Sequence, residues 1–171
     1  MTAAVDVPAT VLAPAHHEAP TTARLLLGDG EFGVDGDQVT ERVGFGDVFD
    51  LRVGAPPFAA EEEFDGTTLT VAFDRGEERR TLFAGGNDDG IEQFGRLFYR
   101  RLLTGTPVVV RHDGGDESDG DPFHEGALRV SPTAFGVTGI ETPFVVDLDT
   151  VVSVSRSTRD LRDRPRRIIE V

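Results

Sequence analysis

The chain has no cysteine, no lysine and no tryptophan, and one methionine and one tyrosine among 171 residues. Without cysteine there can be no disulfide, no thiolate metal site and no cysteine nucleophile. Without lysine, all 17 basic residues are arginine, set against 31 carboxylates for a formal net charge of -14. That balance argues against non-specific nucleic-acid binding, which needs cations to displace counterions. It argues equally against attraction to an anionic membrane surface. No apolar run approaches the roughly 20 residues that span a bilayer. The opening Met1-Thr2-Ala3-Ala4-Val5-Asp6 has no basic n-region, so no secretory signal is expected and the expected location is cytoplasmic. Excess carboxylate keeps a protein hydrated, while self-repulsion works against the compact state. Concentrated salt screens that repulsion, so an acidic, lysine-free chain is expected to suit a halophilic cytoplasm.

Hydrophobic residues make up 38% of the chain, enough for one domain or two small ones. Residues 1–23 are rich in Ala, Pro and Thr, and Pro8, Pro14 and Pro20 interrupt any helix. They read as a disordered tail. From Arg24 onward the chain reads as strands. Leu25-Leu26-Leu27 runs into the turn signal Gly28-Asp29-Gly30, and Val43 to Val53 forms an apolar stretch bent at Gly44 and Gly46. Leu69, Val71 and Phe73 alternate with Thr68, Thr70 and Ala72, and the turn Asp74-Arg75-Gly76 returns the chain through 79–83. A helix is expected over 89–103. Asp89 is its expected N-cap with Glu92 at capping-box spacing, and Ile91, Phe94, Leu97, Phe98 and Leu102 mark one face.

Strands closed by one amphipathic helix suit a small bent sheet, open at one corner and plugged by the helix. Pleckstrin-homology-like modules have this order, as do several other small α+β folds. Residues 107–171 repeat the strand-rich opening without a closing helix. Within them Phe144, Val146 and Leu148 alternate with Val145, Asp147 and Asp149. The expected architecture is therefore α+β and mainly antiparallel, as tandem pleckstrin-homology-like modules over 24–106 and 107–171. The second module lacks its closing helix.

Catalytic signatures are weak. Gly28, Gly30 and Gly33 match G-x-G-x-x-G, but strands lie on both sides, so a hairpin is the better reading. Asp113, Asp116, Glu117, Asp119, Asp121, His124 and Glu125 could gather a hard cation. Pro122 stands where a calcium loop would need glycine, and a solvated acidic loop fits better. His16-His17 has no third ligand near in sequence. No residue set points to acid–base or nucleophilic catalysis, and the phenylalanines fall at core periods. No cofactor and no metal are expected. A hydrolase or nucleotide-binding enzyme using the acidic loop is the weakest of the functional readings.

The arginines near the end differ. Arg156, Arg159, Arg162, Arg164, Arg166 and Arg167 crowd into twelve residues, offset only by Asp160 and Asp163. One reading pairs them with the protein's own carboxylates. The other is an anion-recognising loop, since guanidinium forks match carboxylate and phosphate. Arg159, Arg162 and Arg164 are the expected partner-binding residues, with Arg166 and Arg167 entering the last strand on opposite faces. A module binding a lipid headgroup or another anion through this loop is one functional reading.

The segment Phe144-Val145-Val146-Asp147-Leu148-Asp149-Thr150-Val151, the basic turn, and the closing Arg166-Arg167-Ile168-Ile169-Glu170-Val171 resemble the CheF family of archaeal taxis adaptors. The helix through Leu103 and the run Pro107-Val108-Val109-Val110-Arg111-His112 resemble the family's middle segment. The resemblance covers about residues 24–171. It implies a non-enzymatic adaptor that links the CheY response regulator to the archaellum motor switch proteins, built on pleckstrin-homology-like domains. It also implies a shortened or divergent member, because the family opens differently and continues past the point matching Val171.

Overall fold

The computed structural model describes residues 5–15, 19–111, 123–141, 143–147, 150, 155–161 and 164–170. The chain divides into two compact units, Met1–Leu102 and Leu103–Val171. Both are built on antiparallel sheets, and one α-helix is present among the described residues.

The first unit holds seven strands: β1 (Val5–Leu12), β2 (Thr21–Leu27), β3 (Glu31–Asp35), β4 (Thr40–Gly44), β5 (Val48–Gly54), β6 (Thr68–Arg75) and β7 (Glu78–Gly85). Their order in the sheet is β4-β3-β2-β1-β7-β6-β5. Two meanders are thus joined where Thr10–Leu12 of β1 meets Phe83–Gly85 of β7. The first strand corrects the expectation of a disordered tail. Val5, Val7, Ala9 and Val11 alternate along β1, and Val5 to Val11 pair with Leu27 to Thr21. Pro8 is tolerated because β1 has a neighbour on only one side there, so the missing N–H leaves no ladder between two strands broken.

The expected bend in the 43–53 stretch is a short 3₁₀ turn, Phe45–Asp47, which separates β4 from β5. It lies where the sheet's two end strands follow one another in sequence. Arginine side chains help hold this part of the sheet. The Arg75 guanidinium donates to the Arg42 carbonyl at 3.3 Å, and Arg80 reaches the Glu41 carboxylate at 3.2 Å. Glu41 is itself buried.

The helix, α1 (Asp88–Leu103), closes the first unit. Its N-cap is Asn87 rather than the expected Asp89, because Asn87 Oδ1 accepts the Gly90 N–H at 3.1 Å. Asp88 Oδ1 instead accepts the Thr67 N–H at 2.7 Å and ties the helix start to the entrance of β6. Ile91, Phe94 and Phe98 are fully buried, and Gly95 is buried with them. Phe98 sits 5.0 Å from Phe32 and 5.6 Å from Phe45, ring centre to ring centre. A side chain at Gly95 would begin 2.3 Å from a Val53 methyl, so only glycine lets the helix approach β5 this closely. The Tyr99 O–H donates to the Leu51 carbonyl on the same strand.

The second unit contains a four-stranded sheet of β8 (Pro107–Arg111), β9 (Phe123–Val130), β10 (Ala134–Thr138) and β11 (Phe144–Asp147), in the order β11-β10-β9-β8. Beside it in sequence is a two-stranded ribbon of β12 (Ser155–Leu161) and β13 (Arg164–Glu170). The alternation read in β11 is present: Phe144 and Val146 are half-buried, and Val145 and Asp147 exposed.

Candidate functional site

Arg156 to Arg167 were expected to form a loop, but most of them lie in the ribbon. Backbone pairing sets Arg159 opposite Arg166, Leu161 opposite Arg164, Thr158 opposite Arg167 and Arg156 opposite Ile169. Partners across a ladder share a face, and successive residues alternate faces. Arg159, Arg166 and Arg164 therefore fall at register positions two residues apart along the ribbon. Arg162 lies outside the described residues. Like charges placed directly opposite one another destabilise a sheet pair. The sequence did not reveal β12 because its residues are mostly polar, and a two-stranded ribbon needs no apolar alternation to pair its backbone.

Arginines of the first unit are engaged locally. Arg24 meets Asp6 at 2.7 Å, Arg52 meets Asp50 at 3.0 Å, and Arg96 meets Glu92 at 2.9 Å one helical turn away. The hydrogen bond to Asp6 raises the pKa of Arg24 further above its usual value, helped by their opposite charges. Arg80 is raised likewise, first by its hydrogen bond to Glu78, with burial opposing.

The glycine motif is a hairpin turn. The Gly28 N–H donates to the Glu31 carbonyl at 2.9 Å, and β2 and β3 flank the turn. Arg101 clamps it, donating to the Gly28 carbonyl at 2.7 Å and to Asp29 at 2.6 Å. Among the described residues the turn is followed by β3 and not by a helix, so its amides do not form the phosphate cradle of a dinucleotide site. Residues 113–121, His112 and His16-His17 lie outside the described residues. His124 and Glu125 are exposed on β9. Among the described residues no three His, Cys, Asp or Glu side chains converge as a metal site.

A shallow depression beside α1 is lined by Val53, Gly54, Thr67, Glu92, Arg96 and Tyr99. Burial raises the Tyr99 pKa, with Asp50 adding to the shift and Arg52 opposing it. Glu92 and Arg96 are paired with each other, and the tyrosine hydroxyl is committed to Leu51. The reading of every phenylalanine as packing fails at two positions. Phe49 is 51% exposed and Phe58 89% exposed. A signal for Phe58 is present in the sequence, where it stands between Pro56-Pro57 and Glu61-Glu62-Glu63 rather than in an alternating run.

The arrangement defines a mainly antiparallel α+β protein with one packed helix and a separate arginine-bearing ribbon. The sequence model of the family described as "Archaeal Chemotaxis signal transduction system protein F" matches residues 11–171, and the chain belongs to that family. It is also similar to "Taxis protein CheF2" of Halobacterium salinarum, at 26% identity over 160 residues. That match covers 92% of this chain and 55% of the relative, so the chain spans about half the length of the curated relative it matches. No helix among the described residues is long and apolar enough to cross a membrane.

Proposed function

We propose that the protein is a cytoplasmic, non-enzymatic adaptor that links the CheY response regulator to the archaellum switch proteins by protein–protein binding. Family membership over residues 11–171 carries this reading. The first unit, with seven antiparallel strands followed by one helix, has the element order of a pleckstrin-homology-like module. The second unit is read as a related module without its helix. Arg159, Arg162 and Arg164 are the proposed contact residues for the regulator, with Arg166 joined to them by register. Phosphorylation would make an acidic regulator more anionic and strengthen the guanidinium contacts.

Calorimetry with phosphorylated CheY in molar KCl tests the assignment. Replacing Arg159, Arg162 and Arg164 together by Glu should abolish binding and leave the melting transition in place if these side chains serve the partner rather than the fold. Unchanged affinity with a lowered melting transition would mean that these arginines only neutralise the protein's own carboxylates. The arginine rung also favours a second reading, a module that binds an anionic headgroup. Vesicles bearing such headgroups should then retain the protein, and CheY should not.

A further inference from the structure

We propose that Phe58 and the three glutamates after it form a docking surface for a partner protein with an apolar pocket rimmed by arginine or lysine. Phe58 is 89% exposed in a chain otherwise rich in solvating charge. The loop that carries it is well held. Pro56 and Pro57 fix their own φ angles, the Ala60 N–H donates to the Pro57 carbonyl at 2.8 Å, and the Glu63 N–H donates to the Ala60 carbonyl at 3.1 Å. Ala60 and Phe64 anchor the far side of the loop in a small cluster with Leu12 and Phe83. Gly85 makes room for that anchor, since a Cβ there would lie 2.4 Å from the Phe64 ring. The Phe58 ring therefore stands on an ordered support, which lowers the entropy lost when a partner fixes it.

The other exposed phenylalanine is partly covered, with the Arg79 guanidinium 5.1 Å above the Phe49 ring. Phe58 has no such ring or guanidinium contact among the described residues. A shallow depression adjoins it, apolar at Leu12, Pro14 and Ala60 and acidic at Glu62 and Glu63. Glu61, Glu62 and Glu63 are all exposed. Their charge selects the occupant. An anionic membrane would be repelled. A second copy meeting this surface through a two-fold axis would bring two acidic triplets together. A cationic rim around an apolar pocket satisfies both features, with the aromatic ring as anchor and the carboxylates guiding approach. This surface belongs to the first unit and stands whether or not the arginine ribbon binds CheY.

The test places a benzophenone-bearing phenylalanine at position 58 of the full chain and photolyses it in cells of the source organism. The crosslinked peptide is sequenced, and the purified partner is then titrated against the unmodified chain and its variants. The expected capture is a protein linked at apolar residues flanked by Arg or Lys. Phe58→Ala should weaken its binding roughly tenfold or more. Replacing Glu61, Glu62 and Glu63 by Gln should weaken it less and flatten its salt dependence. Melting should be unchanged in both variants. Crosslinking to lipid, to a second copy, to a pocket with an acidic rim, or to nothing would overturn the proposal. So would unchanged affinity of Phe58→Ala, or a melting loss that makes Phe58 a packing residue.

Discussion

The two units use the same antiparallel ladder but bury different amounts of side chain. In the first, Val11, Leu25, Phe32, Val34, Leu69, Val71, Phe94 and Phe98 are fully buried and belong to one continuous cluster. In the second, among the residues whose burial is described, Val137 is the one buried hydrophobic side chain, and Val109 and Val145 are 46% and 73% exposed. Strand pairing alone therefore does not make a core. The first unit gains depth because its sheet is joined through β1 and β7 and covered by α1, whose apolar stripe has a sheet to meet. In the second unit β8 and β11 alternate between exposed and half-buried positions, as strands with one solvated face do.

The largest test of that contrast is truncation. Phe94→Ala or Phe98→Ala should cost about 3–5 kcal/mol, the usual range for a fully buried aromatic. Val145→Ala, on the exposed face of β11, should cost no more than ~0.5 kcal/mol. Chemical denaturation of the three variants checks this, and equal losses would end the distinction between the units. A smaller effect is expected at Gly95. Alanine would gain about 1 kcal/mol of helix propensity, but its Cβ would start 2.3 Å from Val53. Valine is stiff at χ1, so overpacking by about 1–3 kcal/mol should win. Adding Val53→Ala should recover part of the loss in a double-mutant cycle, whereas strictly additive losses would show that the contact does not limit helix approach.

The sequence carried much of the first unit because its signals were periodic and unambiguous. Leu69, Val71 and Phe73 alternate within β6, the two-residue turn at Gly76 has the positive φ of 66° that glycine allows, and the helix face holds Ile91, Phe94 and Phe98. The misses have physical causes. β1 is built of small and β-branched residues around Pro8, which weakens its pattern although its pairing is complete. Asn87, Asp88 and Asp89 can all cap a helix, and composition alone does not say that Asn87 takes the Gly90 N–H while Asp88 takes that of Thr67. The ribbon rests on backbone pairing, which composition does not encode. For the same reason the candidate arginines could be named from their crowding, but the pairing of Arg159 with Arg166 and of Leu161 with Arg164 could be seen only from the register.

Salt should separate the units more gently, because screening acts on many weak pairs. Residues 1–102 hold nine arginines and 19 carboxylates, a balance of -10; residues 103–171 hold eight and 12, a balance of -4. Raising KCl from about 0.1 M to about 1 M shortens the screening length from roughly 10 Å to roughly 3 Å. Melting temperature should rise over that range, and hydrogen-exchange protection should rise more in β1–β7 than in β8–β11. A flat response would remove the argument for a high-salt setting, and an equal response would remove the charge contrast between the units.

The smallest effect is also the cleanest to observe, since Tyr99 is the chain's one tyrosine and there is no tryptophan. Phenolate absorbance therefore reports this side chain alone. Burial between α1 and β5 disfavours the charged phenolate, as does Asp50, so the folded pKa lies above the ordinary value of 10.0. A group whose folded pKa is raised contributes its full stability below the unfolded pKa and loses it as pH climbs through the folded value. The Tyr99 contribution should thus be fully present and insensitive to pH near neutrality, and decline as pH rises past 10.0. Tyr99→Phe should remove that decline while giving up the hydrogen bond to Leu51, a loss of about 0.5–1.5 kcal/mol at neutral pH that shrinks as the wild-type phenol ionises and can no longer donate. If the phenol titrates at or below its ordinary value in the folded chain, the helix does not shield it from solvent, and the close seating of α1 on β5 would have to be redrawn.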